Sequence, residues 1–147
     1  MRVLVDTNVL IRSVQKNESA CRIARQALVS LYRGEHTLFL ATQNVAEFWN
    51  VCTRPGGTAN GLGLSIEATD RYINQLEQFF TILPDSLHVF QIWRSLVVAH
   101  SVRGAKVHDT RLVAMMRAND IPKIVTFNVA DFTRFSEIES LHPKNVI

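Results

Sequence analysis

MRVLVDTNVL, residues 1–10, opens the chain with four apolar side chains in its first five positions and then breaks the run with a carboxylate, Asp6. So short and dense an apolar run reads as a buried strand. A carboxylate at its end is costly to take out of water without a partner. Three more runs resemble it: 37–41 (TLFLA), 79–83 (FFTIL) and 123–127 (KIVTF), with a fifth short strand expected within 141–147. Helical patterns lie between them. Cys21, Ala24, Leu28 and Leu31 recur at helical spacing opposite Arg22, Arg25, Gln26 and Arg33, and Val45, Phe48, Trp49 and Cys52 do so after Thr42, a candidate N-cap. Ser65 can cap a helix that turns Thr69, Ile73, Leu76 and Phe80 inward. Residues 84–86 mark the turn into a helix carrying Val89, Ile92, Trp93, Leu96 and Val97. A last long helix spans about 107–119 and is stopped by Pro122. Strands separated by helices predict an α/β sandwich with a mostly parallel sheet of four or five strands, because parallel neighbours need a helical crossover.

The length of 147 residues and the 47% hydrophobic content fit one domain with one continuous core. No stretch approaches the roughly 18 uninterrupted apolar residues of a membrane span. Asp6 interrupts the N-terminus before a signal-peptide hydrophobic region develops, so a cytoplasmic protein is expected. Cys21 and Cys52 lack CxxC or histidine-partnered zinc spacing and read as buried free thiols. Net charge is +3, and 12 of the 16 basic residues are arginine, which suits bidentate phosphate contacts. No block of five or more Lys/Arg occurs, so charge alone permits a nucleic-acid partner without requiring one. The stretch TRPGGTANGLG (53–63) holds four of the six glycines but lacks the lysine and Ser/Thr of a phosphate loop; it reads as a connection.

The acidic residues are more informative. Ligands of open parallel sheets bind beyond the carboxyl ends of the strands, where Asp6 and Asn128 are both expected. Each has an ordinary alternative as a helix cap, Asn128 with Asp131 as its capping-box partner. Asp109 falls on one stripe with Leu112, Val113 and Met116, which places a carboxylate on the buried face of a first helical turn. Ion pairs with Lys106 or Arg111 are the alternative there. Glu47, on a row with Asn44 and Val51, can equally be a solvated edge residue. Together, however, these positions can converge on one sheet edge. Carboxylates 4 Å apart repel by about 4 kcal/mol per pair at an effective dielectric of 20, so they stay charged only near a cation. Hard oxygen ligands without a Cys/His cluster favour Mg²⁺ or Mn²⁺ over zinc.

The segments VLVDTNVLI, ATQNVAEFWNV, VHDTRLVAMM and IVTFNVADF are spread along nearly the entire chain in an order that resembles the PIN-domain nucleases, especially the toxin ribonucleases of bacterial VapBC toxin–antitoxin pairs. The resemblance implies a PIN-like three-layer sandwich, with helices on both faces of the sheet. It also implies an acidic pocket in which Asp6, Glu47 and Asp109 match the residues that hold Mg²⁺ or Mn²⁺. Asn128 occupies the fourth position, often an aspartate, and Asp131 fits the later acidic position of that motif. Thr7 and Thr126 resemble the small hydroxyl residues that line the pocket. An RNA substrate, a cognate antitoxin and a homodimer are the implied partners. Arg54, Arg103, Lys106 and Arg111 are the nearest basic candidates for gripping RNA. Two rival classes remain in view. An aspartyl-phosphate phosphatase needs Asp-x-Asp, whereas Asn8 stands at the third place. A silent RNA- or protein-binding module is compatible with the missing fourth carboxylate.

Overall fold

Five short strands, β1 (Arg2–Val5), β2 (Thr37–Ala41), β3 (Thr81–Leu83), β4 (Lys123–Val125) and β5 (Glu139–Leu141), pair in the order β3-β2-β1-β4-β5. Every pairing is parallel. The computed structural model describes residues 1–16, 18–58 and 60–147. Helices α1 (Thr7–Val14) and α2 (Ser19–Arg33) connect β1 to β2, α3 (Thr42–Thr53) and α4 (Ile66–Phe79) connect β2 to β3, and α5 (Leu87–Ala99) and α6 (Lys106–Ala118) return the chain to β4.

Strand order explains why helices cover both faces. Crossovers between parallel strands are right-handed, so the step outward from β1 to β3 and the step back to β4 must place their helices on opposite sides. Alternation along each strand supplies both cores. Val3, Val5, Leu38 and Leu40 face Val9, Ala24, Leu31, Phe48 and Cys52 of α1 to α3, with Tyr72, Ile73 and Leu76 of α4 packed against them. Leu4, Phe39, Ala41 and Ile124 face Val89 and Leu96 of α5 and the buried run Leu112–Met116 of α6. The expected α/β three-layer sandwich is therefore present, with all five strands parallel.

Four features differ from the sequence expectation, the first being that the strand expected over 123–127 ends at Val125, where Thr126 turns its hydroxyl to Asp6. Residues 79–83 are not all strand: Phe79 ends α4, half exposed and edge-on to the Tyr32 ring, and only Thr81–Leu83 join the sheet. The fifth strand ends at Leu141 and not beyond it, because Pro143 cannot donate to a ladder and opens a 3-10 turn, Pro143–Val146. Asn128 precedes a single 3-10 turn, Val129–Phe132, and its side chain forms no cap. Ser65 and Ser86 do cap their helices, accepting from the amides of Ala68 and Val89. The glycine-rich connection folds back on α3, where Leu64 N donates to Cys52 O. A Cβ at Gly61 would stand 2.4 Å from the Pro55 carbonyl. Cys21 and Cys52 are buried free thiols. Among the described residues, no helix is long and apolar enough to cross a membrane.

Candidate active site

The direction of strand progression reverses between β1 and β4, and the carboxyl ends of these neighbours open the crevice where parallel sheets bind ligands. Asp6 stands at that point. Its amide still pairs with Val125 O at 3.0 Å, extending the ladder by one residue, while its carbonyl accepts from Val9 N to begin α1. Its carboxylate caps nothing. Instead Oδ2 accepts from the Thr126 hydroxyl at 2.7 Å and from Asn8 Nδ2 at 2.8 Å. Asn8 uses its other end as well, since Oδ1 accepts from Phe127 N at 3.1 Å and ties the start of α1 to the end of β4. The Thr126 hydroxyl also accepts from Asn128 N at 3.0 Å.

Asp6 is 8% exposed, and among the described residues no cation pairs with it. Burial pushes its carboxyl up to about 6. The Thr126 hydroxyl opposes that shift, the charge of Glu47 adds to it, the Thr7 amide opposes it, and Asp109 adds a smaller push. Neutral donors thus offset only part of the cost of burying the charge.

Glu47 is held from α3. Its Oε2 accepts from the Thr7 hydroxyl at 2.7 Å and its Oε1 from Gln43 Nε2 at 2.8 Å. Behind Thr7 lies Asn44, wholly buried, whose Nδ2 donates to the Thr7 hydroxyl at 3.0 Å and whose Oδ1 accepts from Ala41 N at 2.8 Å. Asn44 supplies the cap-like contact at the start of α3. The Thr42 hydroxyl, the expected cap, instead donates to Asp85 Oδ2 at 2.9 Å. Gln43 Nε2 also reaches His108 O at 3.1 Å, linking α3 to α6. Among the described residues, Gln43 Oε1 is the buried side-chain polar atom without a partner.

Asp109 lies in the first turn of α6, half buried. Burial raises its pKa, as do the charges of Asp131 and Glu47, against the lowering effect of Lys106 and His108. Lys106 Nζ is 3.9 Å from Asp109 Oδ2 and in direct contact with Asp131 Oδ1. Arg111 pairs with Asp85 at 2.8 Å, not with Asp109. Asn128 is exposed beyond Thr126, Arg54 is the C-cap of α3, and exposed Arg103 lies between α5 and α6.

Asp6, Glu47 and Asp109 therefore feel one another's charge across the crevice. Among the described residues, however, no three His, Cys, Asp or Glu side chains form a ready-made metal cage. A donor set of hard oxygens without such a cage matches Mg²⁺ chemistry, in which one or two carboxylates hold an ion that keeps several waters. The unpartnered Gln43 Oε1, one side chain from Glu47, fits a site completed by hydration. Spacing alone does not single out Asn8, Gln43 or Asn44 as site residues. Only the row joining Asn44 to Glu47 hinted at one of them.

A parallel three-layer sandwich with an acidic crevice at its switch point defines the class of this protein. The PIN domain family model matches residues 3–138, and the chain belongs to that family. No curated protein matches the sequence. Among solved structures the fold is similar to VapBC2 from Rickettsia felis bound to a promoter DNA fragment, with TM-score 0.68 and 15% identity over 97% of this chain and 98% of that one. It is also similar to FitAcB from Neisseria gonorrhoeae, with TM-score 0.66 and 22% identity over 96% and 97%. VapC20 from Mycobacterium tuberculosis, a toxin that cleaves the sarcin–ricin loop, matches with TM-score 0.60 and 15% identity over 83% and 86%.

Proposed function

We propose that this protein is a divalent-metal-dependent endoribonuclease, the toxin of a VapBC-type pair. The observation that carries the reading is Asp6: a buried carboxylate at the switch point, satisfied only by neutral donors and flanked by two more acids. Asp6 and Asp109 would hold Mg²⁺ or Mn²⁺, with Glu47 at its side. The ion would supply Lewis-acid charge for the scissile phosphate and the attacking water.

The chain's own groups do the rest. Thr7 and Gln43 fix the two oxygens of Glu47, leaving lone pairs to accept a hydrogen bond, and then a proton, from that water. Thr126 and Asn8 lock Asp6 Oδ2, so the carboxylate needs no reorganisation when the phosphate arrives. Because water attacks and the ribose 2′-hydroxyl does not, products carry a 5′-phosphate and a 3′-hydroxyl. Asn128 contributes a neutral oxygen where a fourth carboxylate would add charge, so one ion is expected in the absence of RNA. Several structures of similar fold come from toxin–antitoxin complexes, which supports an antitoxin partner. The exposed apolar residues Leu87 and Val98 on α5 leave room for a homodimer contact.

The test is a labelled RNA panel incubated with Mg²⁺, Mn²⁺ or EDTA, beside Asp6→Asn and Asp109→Asn. The expected result is cleavage that chelation and either substitution abolish. Cleavage that survives both would overturn the metal mechanism, and tight binding without cleavage would assign a silent RNA-binding module.

A further inference from the structure

A second concavity of about 530 Å³ opens beside the acidic crevice, lined among others by Asp85, Phe90, Trp93, Val107, His108 and Arg111. Its volume suits a small planar ligand. The first turn of α6 separates the two sites: His108 faces the concavity, while Asp109, the next residue, belongs to the acidic group. Gln43 braces that turn by donating to both Glu47 and the His108 carbonyl.

The lining has a particular chemistry. Phe90 and Trp93 lie with ring centroids 6.1 Å apart and planes inclined by 33°, and Phe90 is 50% exposed. Trp93 is anchored by its indole N–H on Val107 O at 2.9 Å, which fixes the ring as a wall. At the mouth, Arg111 is held on Asp85 at 2.8 Å, and Asp85 also accepts from Thr42. Aromatic rings next to a restrained guanidinium are what single-stranded RNA recognition uses to hold a splayed base. Trp93 packs against the core on one side, whereas Phe90 beside it leaves half its surface to solvent.

We infer that the Phe90–Trp93–His108–Arg111 concavity is a subsite for one unstacked nucleobase of the RNA strand, beside the nucleotide whose phosphate lies at Asp6 and Asp109. The inference rests on the nuclease reading and specifies its substrate as single-stranded at the cut. It also divides the labour on α6, whose first turn would give a carboxylate to the metal site and an imidazole to the base.

The experiment couples protein to RNA. An oligoribonucleotide that the protein cuts is compared with versions carrying an abasic residue at each position around the cut, against wild type and Phe90→Ala. The expected result is that one abasic position and Phe90→Ala each raise KM about tenfold, the scale of losing one stacked base, with no further loss when they are combined. In a Trp49→Phe background, Trp93 emission should also fall saturably on adding RNA in EDTA, a readout independent of cleavage. Ile66→Ala, 57% exposed at the start of α4, is the control and should behave as wild type. Metal-dependent cleavage without coupling between Phe90 and any abasic position overturns the subsite and leaves the nuclease intact. Neither binding nor cleavage of RNA overturns both. A Phe90→Ala effect confined to dimer dissociation assigns this face to a protein contact and overturns the subsite.

Discussion

The two sides of the acidic crevice handle negative charge in opposite ways. On the strand side, Asp6 is buried and held by Thr126 and Asn8, neutral donors that fix its position without balancing its charge. On the helix side, Asp109 and Asp131 have side chains about 30% exposed, and Lys106 bridges them. Water and a flexible ammonium suffice at the rim. At the floor, among the described residues, no cation pairs with Asp6, and its charge is left unbalanced as the proposed metal site requires. Geometry fixed by neutral groups and charge left for an ion to complete is what distinguishes a binding site from a structural ion pair.

The largest effect expected from this contrast is at Asp6. Asp6→Asn should lower cleavage by more than about 100-fold, since even partners of metal ligands typically cost 10- to 100-fold. The same substitution should make the metal-free protein more stable, because an amide can occupy the Thr126–Asn8 cradle without a buried charge. Asp109→Asn should also abolish cleavage yet stabilise the metal-free protein less, being only partly buried and already beside Lys106. Urea denaturation in EDTA beside an RNA cleavage assay separates the two. Equal stabilisation by both variants would erase the distinction between floor and rim.

Next in size is a pH effect with a definite sign. The Asp6 carboxyl lies at about 6 in the folded chain against an ordinary value of 3.8. Between those values the native state binds more protons than the unfolded state, so stability falls as pH rises from about 4 to about 6 and stays low above it. At about 1.4 kcal/mol per unit the total is about 3 kcal/mol, with Asp109 adding in the same direction. Saturating Mg²⁺ or Mn²⁺ should restore stability at neutral pH and flatten the slope. Denaturation midpoints at pH 5 and 7.5, with and without metal, measure it. A slope unchanged by metal would mean that the ion does not reside at Asp6.

The layers of the fold were legible because burial patterns are local. Val3, Leu4 and Val5 announce a strand covered on both faces, and the cap residues Ser65 and Ser86 mark helix starts that the structure keeps. The approach of Asp6, Glu47 and Asp109 was legible only as an inference, since no local rule brings residues 41 or 103 positions apart together. Strand order does that, through the reversal between β1 and β4. What spacing could not supply was the support. Asn8 reads as a break in Asp-x-Asp but acts as a clasp between α1 and β4. Asn44 reads as an ordinary helical residue but is buried behind Thr7, and its value depends on partners far away in the sequence. Phe79 is ambiguous because an aromatic pair ahead of β-branched Thr81 and Ile82 suits either a strand or the last turn of an apolar helix.

A smaller effect concerns charge at the crevice mouth. Asn128 is exposed and lies beyond Thr126, close enough for its amide to reach the threonine hydroxyl. Asn128→Asp should strengthen a second Mn²⁺ binding event in the absence of RNA by about fivefold or less, the scale of an exposed charge interaction. Titration calorimetry with Mn²⁺ checks this. Two equally tight sites in the unaltered chain would show that the neutral residue does not limit occupancy.

The smallest expected effect tests the rim most directly. Lys106 Nζ is about half exposed while serving both Asp131 and Asp109, so the interaction is screened by water and salt. Lys106→Ala should change folding stability by less than about 1 kcal/mol, and less still in high salt. It should also tighten divalent-metal binding slightly, because Asp109 loses the cation that lowers its proton affinity. Thermal denaturation at low and high salt, with Mn²⁺ titration of the same variant, provides both readings. A loss of several kcal/mol would mean that the helix side depends on its internal ion pair as strongly as the floor depends on its cradle. Lys106 would then be a structural counter-ion that no incoming metal or phosphate displaces.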